Sequence, residues 1–263
     1  MLNLKGFFLV ILLLFLFIFG GCAPLQRGGT PVLPPVEISG DFLHALQQRA
    51  LQLNSITIEG RLKMRTKTKQ LPSVKIKAWL HSRDNEVFLR IKGLAALGIT
   101  VFDLLVRGDK CWIYLPRSRK TFEGKRFFTS YGSMDVTTAT KIIEMLLNPW
   151  SPSLYCNMRQ VVCPSSFKDE KDICFEAQFL KMPILFEYNN NLAPRRFLSK
   201  TLAVEFFTDT KSRSIYPKRI IFQLANPEIS GELLILNARF DALSSDSPLF
   251  DQGPFRKRLF SVK

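Results

Sequence analysis

Histidine is nearly missing from this chain: His44 and His81 are the only two in 263 residues. Neither stands beside a Ser, Cys or Asp in a nucleophile motif, and no HExxH occurs, so triad hydrolysis and zinc-hydrolase chemistry lack their parts. No CxxC pair is present, and neither histidine lies near a cysteine in sequence, which argues against a thiolate metal site. The carboxylates are scattered, without the paired pattern of a glycosidase. Gly93-Leu94-Ala95-Ala96-Leu97-Gly98 has the spacing of a phosphate loop, but Ile99 stands where the lysine belongs. These gaps predict no enzyme and no cofactor.

Acidic residues are also scarce, 22 Asp and Glu against 37 Lys and Arg, for a net charge of +15. Such an excess suits anionic partners, whether phospholipid headgroups, lipopolysaccharide phosphates or nucleic acid. Long apolar runs are confined to one, from Phe7 to Phe19. It falls short of the roughly 20 residues that cross a bilayer core.

What precedes and follows that run gives it meaning. Lys5 supplies a positive start, and Gly20, Gly21 and Cys22 follow the apolar stretch. The order reads as a secretory signal over residues 1–21. Cys22 behind small residues resembles the lipobox of bacterial lipoproteins, with Phe19 where that pattern has leucine. The resemblance implies that Cys22 becomes the first mature residue and carries acyl chains such as palmitate. The body of the protein is then expected outside the cytoplasm, where lipid headgroups are available and nucleic acid is not. Residues 22–38, with Pro24, Gly28, Gly29, Pro31, Pro34 and Pro35, read as an extended tether.

Residues 39–263 are expected to form one folded domain. An amphipathic helix over Ser39 to Leu53 places Phe42, Leu46, Ala50 and Leu53 on one stripe, with Ser39 or Asp41 as cap. Strict alternation follows, with Ile56, Ile58, Leu62 and Met64 on one face and Thr57, Glu59, Arg61 and Lys63 on the other. Val74, Ile76, Ala78 and Leu80 repeat the rule opposite Lys75 and Lys77. About eleven such strands are expected in all by this reading. A second helix, Thr137 to Asn148, shows an apolar face of Ala139, Ile142, Ile143, Leu146 and Leu147 and stops at Pro149. The expected class is α+β: a single strongly curved antiparallel sheet, a half-open β-barrel, with helices as a lid. Two helices are too little cover for so wide an apolar face, which leaves room either for a cavity or for a second packed sheet.

Four cysteines remain beyond Cys22: Cys111, Cys156, Cys163 and Cys174. In an oxidising compartment they allow three pairings, and their spacing does not choose among them. Cys156 and Cys163 are close in sequence, and Cys163 and Cys174 could face each other across a hairpin.

The turn Gly93 to Gly98 is apolar where hairpin turns are normally polar. Leu94 and Leu97 there either meet lipid or a partner, or fold back as the buried end of the hairpin.

At these residues the chain resembles the LolA/LolB-like family, carriers and receptors of bacterial lipoproteins. The likeness rests on the opening helix before Ser55-Ile56-Thr57-Ile58-Glu59-Gly60-Arg61-Leu62, and on Phe88 to Thr100 as strand, apolar loop and strand. A helix after the sixth strand, and the closing segments Ile215 to Ile220 and Leu236 to Phe240, complete it. The resemblance implies a lid over an acyl-chain pocket, with Leu94 or Leu97 entering the membrane during delivery. Its implied lining is Ile56, Ile58, Leu62, Val74, Ile76, Leu89, Ile142 and Leu146. It also implies lipid or lipoprotein cargo, a periplasmic carrier protein as partner, and, from Ala23 after the cysteine, residence at the outer membrane. The rival expectation is an assembly lipoprotein of the envelope that binds protein, has no lipid cargo, and fills its hollow with its own phenylalanines.

Overall fold

The computed structural model describes residues 42–67, 69–83, 86–95, 98–129, 132–151, 157–164, 172–180, 182–208, 216–225, 229–240 and 247–255. Cys22, Leu97, Cys156 and the expected caps Ser39 and Asp41 lie outside these residues. Helix α1 (Phe42–Gln52) buries Phe42, Ala45, Leu46 and Ala50 at helical spacing. Strands follow in meander order: β1 (Ser55–Thr66), β2 (Val74–Arg83), β3 (Glu86–Leu94), β4 (Thr100–Arg107), β5 (Lys110–Leu115) and β6 (Lys120–Gly124). A small hairpin, β7 (Arg126–Thr129) and β8 (Gly132–Asp135), leads into helix α2 (Val136–Leu147). The meander resumes with β9 (Arg159–Val161), β10 (Ile173–Phe179), β11 (Met182–Tyr188), β12 (Pro194–Leu198), β13 (Leu202–Phe207), β14 (Arg219–Leu224) and β15 (Ile229–Arg239).

All but β7 and β8 join one antiparallel sheet ordered β6-β5-β4-β3-β2-β1-β15-β14-β13-β12-β11-β10-β9. The first and last strands of the meander, β1 and β15, meet in its middle. The sheet therefore has thirteen strands among the described residues, against the eleven or so expected. Strand β12 escapes sequence reading because it opens on Pro194 and continues with Arg195-Arg196 in place of an alternating run. The edge strands β6 and β9 do not pair with each other among the described residues, so the sheet is open there.

The sheet is curved, and its hydrogen bonds show it. Strands β2 and β11 stand six places apart, about 29 Å if the sheet were flat. Yet Ser82 on β2 reaches Glu144 of α2, and Tyr188 on β11 reaches the carbonyl of Pro149 just beyond the same helix, 2.9 Å away. One helix end touches both only if the sheet wraps around it. The sheet register puts Ile56, Ile58, Ile76, Ala78, Leu80 and Leu89 on the concave side, where they join one core with α1 and α2.

The convex side is not uniformly wet, which corrects the expectation of polar outward faces. Trp79, Arg90, Leu105 and Trp112 form one cross-strand row, with Phe88 beside it. The segment Ser247 to Phe255 closes over them with Phe250 and Phe255 as a second core. Arg90 ties the two together: it grips Asp103 at 2.9 and 2.7 Å, donates to the Leu249 carbonyl at 2.9 Å and stacks on Phe255.

Candidate functional site

Helix α2 is positioned from both ends. Asp135 caps its start, accepting from the Thr138 backbone N–H and hydroxyl, each at 2.7 Å. At the other end, Glu144 is wholly buried and accepts from Ser82 at 2.6 Å and from Ser151. Asn148 donates to the Leu53 carbonyl of α1 at 2.7 Å, and Tyr216 donates to Leu147 at 2.5 Å. Trp150 donates to Leu192 at 2.8 Å. Burial pushes the Tyr216 phenol far above its ordinary range, so it stays a donor.

This fastening decides which face of α2 goes inward. Its buried residues are Val136, Thr140, Glu144, Met145 and Leu147. The apolar stripe expected to be buried is thus turned: Ala139, Ile142, Ile143 and Leu146 stay half-exposed at the margin of the core, and of the expected set Leu147 alone is buried. The polar contacts of Glu144 and Thr140 override the apolar pattern, because a buried carboxylate without donors costs more than a half-covered isoleucine.

The concave face has two unlike halves. Under β10 to β13 it is packed with rings: Phe42 on Phe175 at 5.9 Å, Phe175 on Tyr188 at 6.3 Å, Tyr188 on Phe197 at 5.7 Å, and Phe197 between Phe186 and Phe206 at 4.6 and 4.7 Å. Under β3 to β5, where α2 packs, the inward residues Ile91, Phe102, Leu104 and Ile113 remain half-buried. Gly93 belongs to this half: the Phe102 ring lies across it, and a β-carbon there would stand 2.1 Å from Phe102 Cε1. The half-exposed side of α2 and these strands thus both carry apolar side chains that are incompletely covered.

Of the lining expected from sequence, Ile56, Ile58, Val74, Ile76 and Leu89 are buried core residues, while Leu62, Ile142 and Leu146 are half-buried. The half-buried residues Ile91, Phe102, Leu104, Ile113 and Ile143 were not singled out as lining. Register names the four on strands, since each sits on the same face as an expected residue. The buried hub of Glu144, Ser82 and Ser151 was missed as well. Its one sequence signal is a lone carboxylate inside Ile142-Ile143-Glu144-Met145-Leu146.

Leu94 ends β3 and is half-buried. Ile99 in the same turn is 63% exposed. Gly98 takes a φ of 75°, which closes the turn, and Ala95 donates to the Ile99 carbonyl at 2.8 Å. Cys163, two residues past β9, is disulfide-bonded to Cys174 on β10, with their Cα atoms 5.2 Å apart. Cys111 is a buried free thiol, pushed up to about 11 by burial. Among the described residues no helix is long and apolar enough to cross a membrane. Likewise no cluster of three or more His, Cys, Asp or Glu among them is placed to hold a metal ion.

No family model matches the chain, and neither does any curated protein. Solved structures do. A DUF1329 family protein from Desulfovibrio piger superposes with a TM-score of 0.54 at 13% identity, covering 81% of this chain and 97% of its own. The two share a fold. Two further solved structures are similar at lower TM-scores. A putative outer membrane lipoprotein-sorting protein domain from Vibrio parahaemolyticus matches at a TM-score of 0.48 and 10% identity, over 79% of this chain and 95% of that one. A LolA superfamily protein from Nitrosomonas europaea matches at 0.47 and 13% identity, over 77% and 94%. At such identities the likeness is one of fold and assigns no activity.

Proposed function

We propose that this protein is a LolA/LolB-like lipoprotein of the bacterial envelope that holds acyl chains of a lipid or lipoprotein in a trough beneath α2 and hands them to a membrane. The observation that carries the reading is the turned helix. Its buried face includes Thr140 and Glu144, and Ile142, Ile143 and Leu146 are left half-exposed, while Ile91, Phe102 and Leu104 on β3 and β4 are half-buried. Apolar side chains so arranged gain from a guest: each buried methylene contributes about 0.8 kcal/mol, so a sixteen-carbon chain contributes of order 10 kcal/mol before ordering costs. Binding and release of this kind need no enzyme and no cofactor. In this reading residues 1–21 are the signal, and Cys22 bears the anchor on a tether over residues 22–38. The domain faces the periplasm from the outer membrane, and Leu94 or Leu97 enters the bilayer at delivery. A periplasmic carrier would supply the cargo.

The ring ladder of Phe175, Phe186, Phe197 and Phe206 favours a second reading. A domain that fills its own hollow could serve as an assembly lipoprotein that binds protein and no lipid.

Solvent extraction of the purified protein, followed by mass spectrometry, separates the two. The carrier reading expects co-purifying acyl lipid, and expects Ile142→Glu with Leu146→Glu to lose it while melting within a few degrees of the native chain. Those side chains are half-exposed, so a carboxylate can reach water there. Native protein free of lipid would overturn the carrier reading in favour of the assembly one.

A further inference from the structure

Ladder pairing places six residues in one row across the convex face, at the end of the sheet that bears the β3–β4 turn. Leu94 pairs with Lys75, Lys75 with Arg61, Arg61 with Leu234, Leu234 with Arg219, and Arg219 with Phe207. At about 4.8 Å per strand the row runs roughly 24 Å. It intersperses three apolar and three cationic side chains on the convex face. Leu234 is 39% and Phe207 41% exposed, and Ile99 in the adjoining turn is 63% exposed. Three of the five exposed large apolar residues among the described ones thus gather at one end of one face. Scattered exposure would need no explanation, but a cluster does.

Cations outnumber carboxylates around the row. Arg61 and Lys75 are exposed and have no ion pair among the described residues. Lys63 and Arg219 share the single carboxylate of Glu232, at 3.5 and 2.7 Å. Lys77 is matched by Glu59 at 3.0 Å, and Arg65 adds a further exposed cation. Arg219 also lies over the Phe207 ring at 5.1 Å, which holds cation and ring side by side at the surface.

We propose that this convex face is a second membrane contact, lying against an anionic phospholipid bilayer with Leu234 and Phe207 at the acyl boundary and Arg61, Lys75 and Arg219 among the phosphates. The chemistry is that of an interfacial surface: shallow apolar insertion together with attraction of cations to anionic headgroups. A nucleic acid would reward the cations but leave the apolar residues in water. This contact lies on the opposite side of the sheet from the trough, so it stands or falls independently of the carrier reading.

Fluorescence tests it on the full chain. The three native tryptophans, Trp79, Trp112 and Trp150, are buried at 9%, 1% and 0% exposure, so Leu234→Trp adds one exposed reporter. Vesicles of phosphatidylcholine, or of phosphatidylcholine with phosphatidylglycerol, carry bromine on their acyl chains as a contact quencher. The proposal expects quenching of the added tryptophan by the anionic vesicles, much less by the neutral ones, and loss of it at high salt. Arg61→Gln with Lys75→Gln in the same background should weaken the anionic response about twentyfold, near fivefold for each charge removed. Quenching that is absent, equal on neutral vesicles, or indifferent to the two substitutions would overturn it. Lipid extraction bears on the trough alone, so the two readings fail separately.

Discussion

At the scale of single residues the most consequential group is one that composition gave no reason to notice. Glu144 is a carboxylate with no water contact, and it accepts from Ser82 on β2 and from Ser151 just past the helix. Removing it leaves two buried hydroxyls without an acceptor and frees the helix end from the sheet. Glu144→Ala is expected to cost about 3 kcal/mol in urea unfolding, well above the roughly 1 kcal/mol typical of a substitution. Glu144→Gln, which keeps one carbonyl acceptor, should recover part of that loss. A cost below about 1 kcal/mol for the alanine variant would mean that the hub does not fasten the lid. Sequence could point to Glu144 as odd, a charge amid isoleucines and leucines. It could not name Ser82, 62 residues away.

Among the elements, period-two strands were legible wherever one face is dry and the other wet, as in β1 and β2. Where that premise failed the strands were still legible, but the second buried face was not. The run Val101-Phe102-Asp103-Leu104-Leu105-Val106 and the segment Cys111-Trp112-Ile113-Tyr114 are apolar on both faces, because β4 and β5 lie between two cores. Helix α2 was found to within a residue or two at each end, but its inward face was not, since polar fastening outranks the apolar stripe. Its start rests on Asp135. The Thr138 hydroxyl first, and the Thr138 backbone N–H second, hold that carboxyl below its ordinary value of 3.8. A carboxyl whose folded value is depressed stabilises above the unfolded value and loses that contribution as pH falls through the folded one. Asp135→Ala should therefore lower stability by about 1 kcal/mol at pH 7, and the gap from the native chain should close on acidification below 3.8. Thermal melts at neutral pH and near pH 2 check both halves. A gap of unchanged size at acid pH would show that the cap acts through something other than its charge.

Across the whole molecule the sheet works as a divider: a core, ring-packed under β10 to β13, on the concave side, and a short closing segment on the convex side. The surplus of apolar faces over helical cover could be read from the sequence, whereas the convex core could not, because Ser247 to Phe255 lies far in sequence from the row it covers. That segment is short, and Arg90 is its principal tether. Asp103, 5% exposed, depends on the same guanidinium, with Lys92 at 3.9 Å as its other cation. Arg90→Ala removes the forked bond, the Leu249 contact and the stacking on Phe255 together, and leaves a buried carboxylate poorly matched. The expected loss is about 3 kcal/mol of global stability. Hydrogen exchange should show Phe250 and Phe255 opening before the sheet does, because the closing segment makes few backbone bonds of its own. Arg90→Lys keeps the charge but not the fork, so it should restore less than half of the loss. Should Arg90→Ala melt like the native chain with the segment still protected, the apolar contacts of Phe250 and Phe255 would be sufficient to hold the convex core, and the guanidinium would be incidental to it.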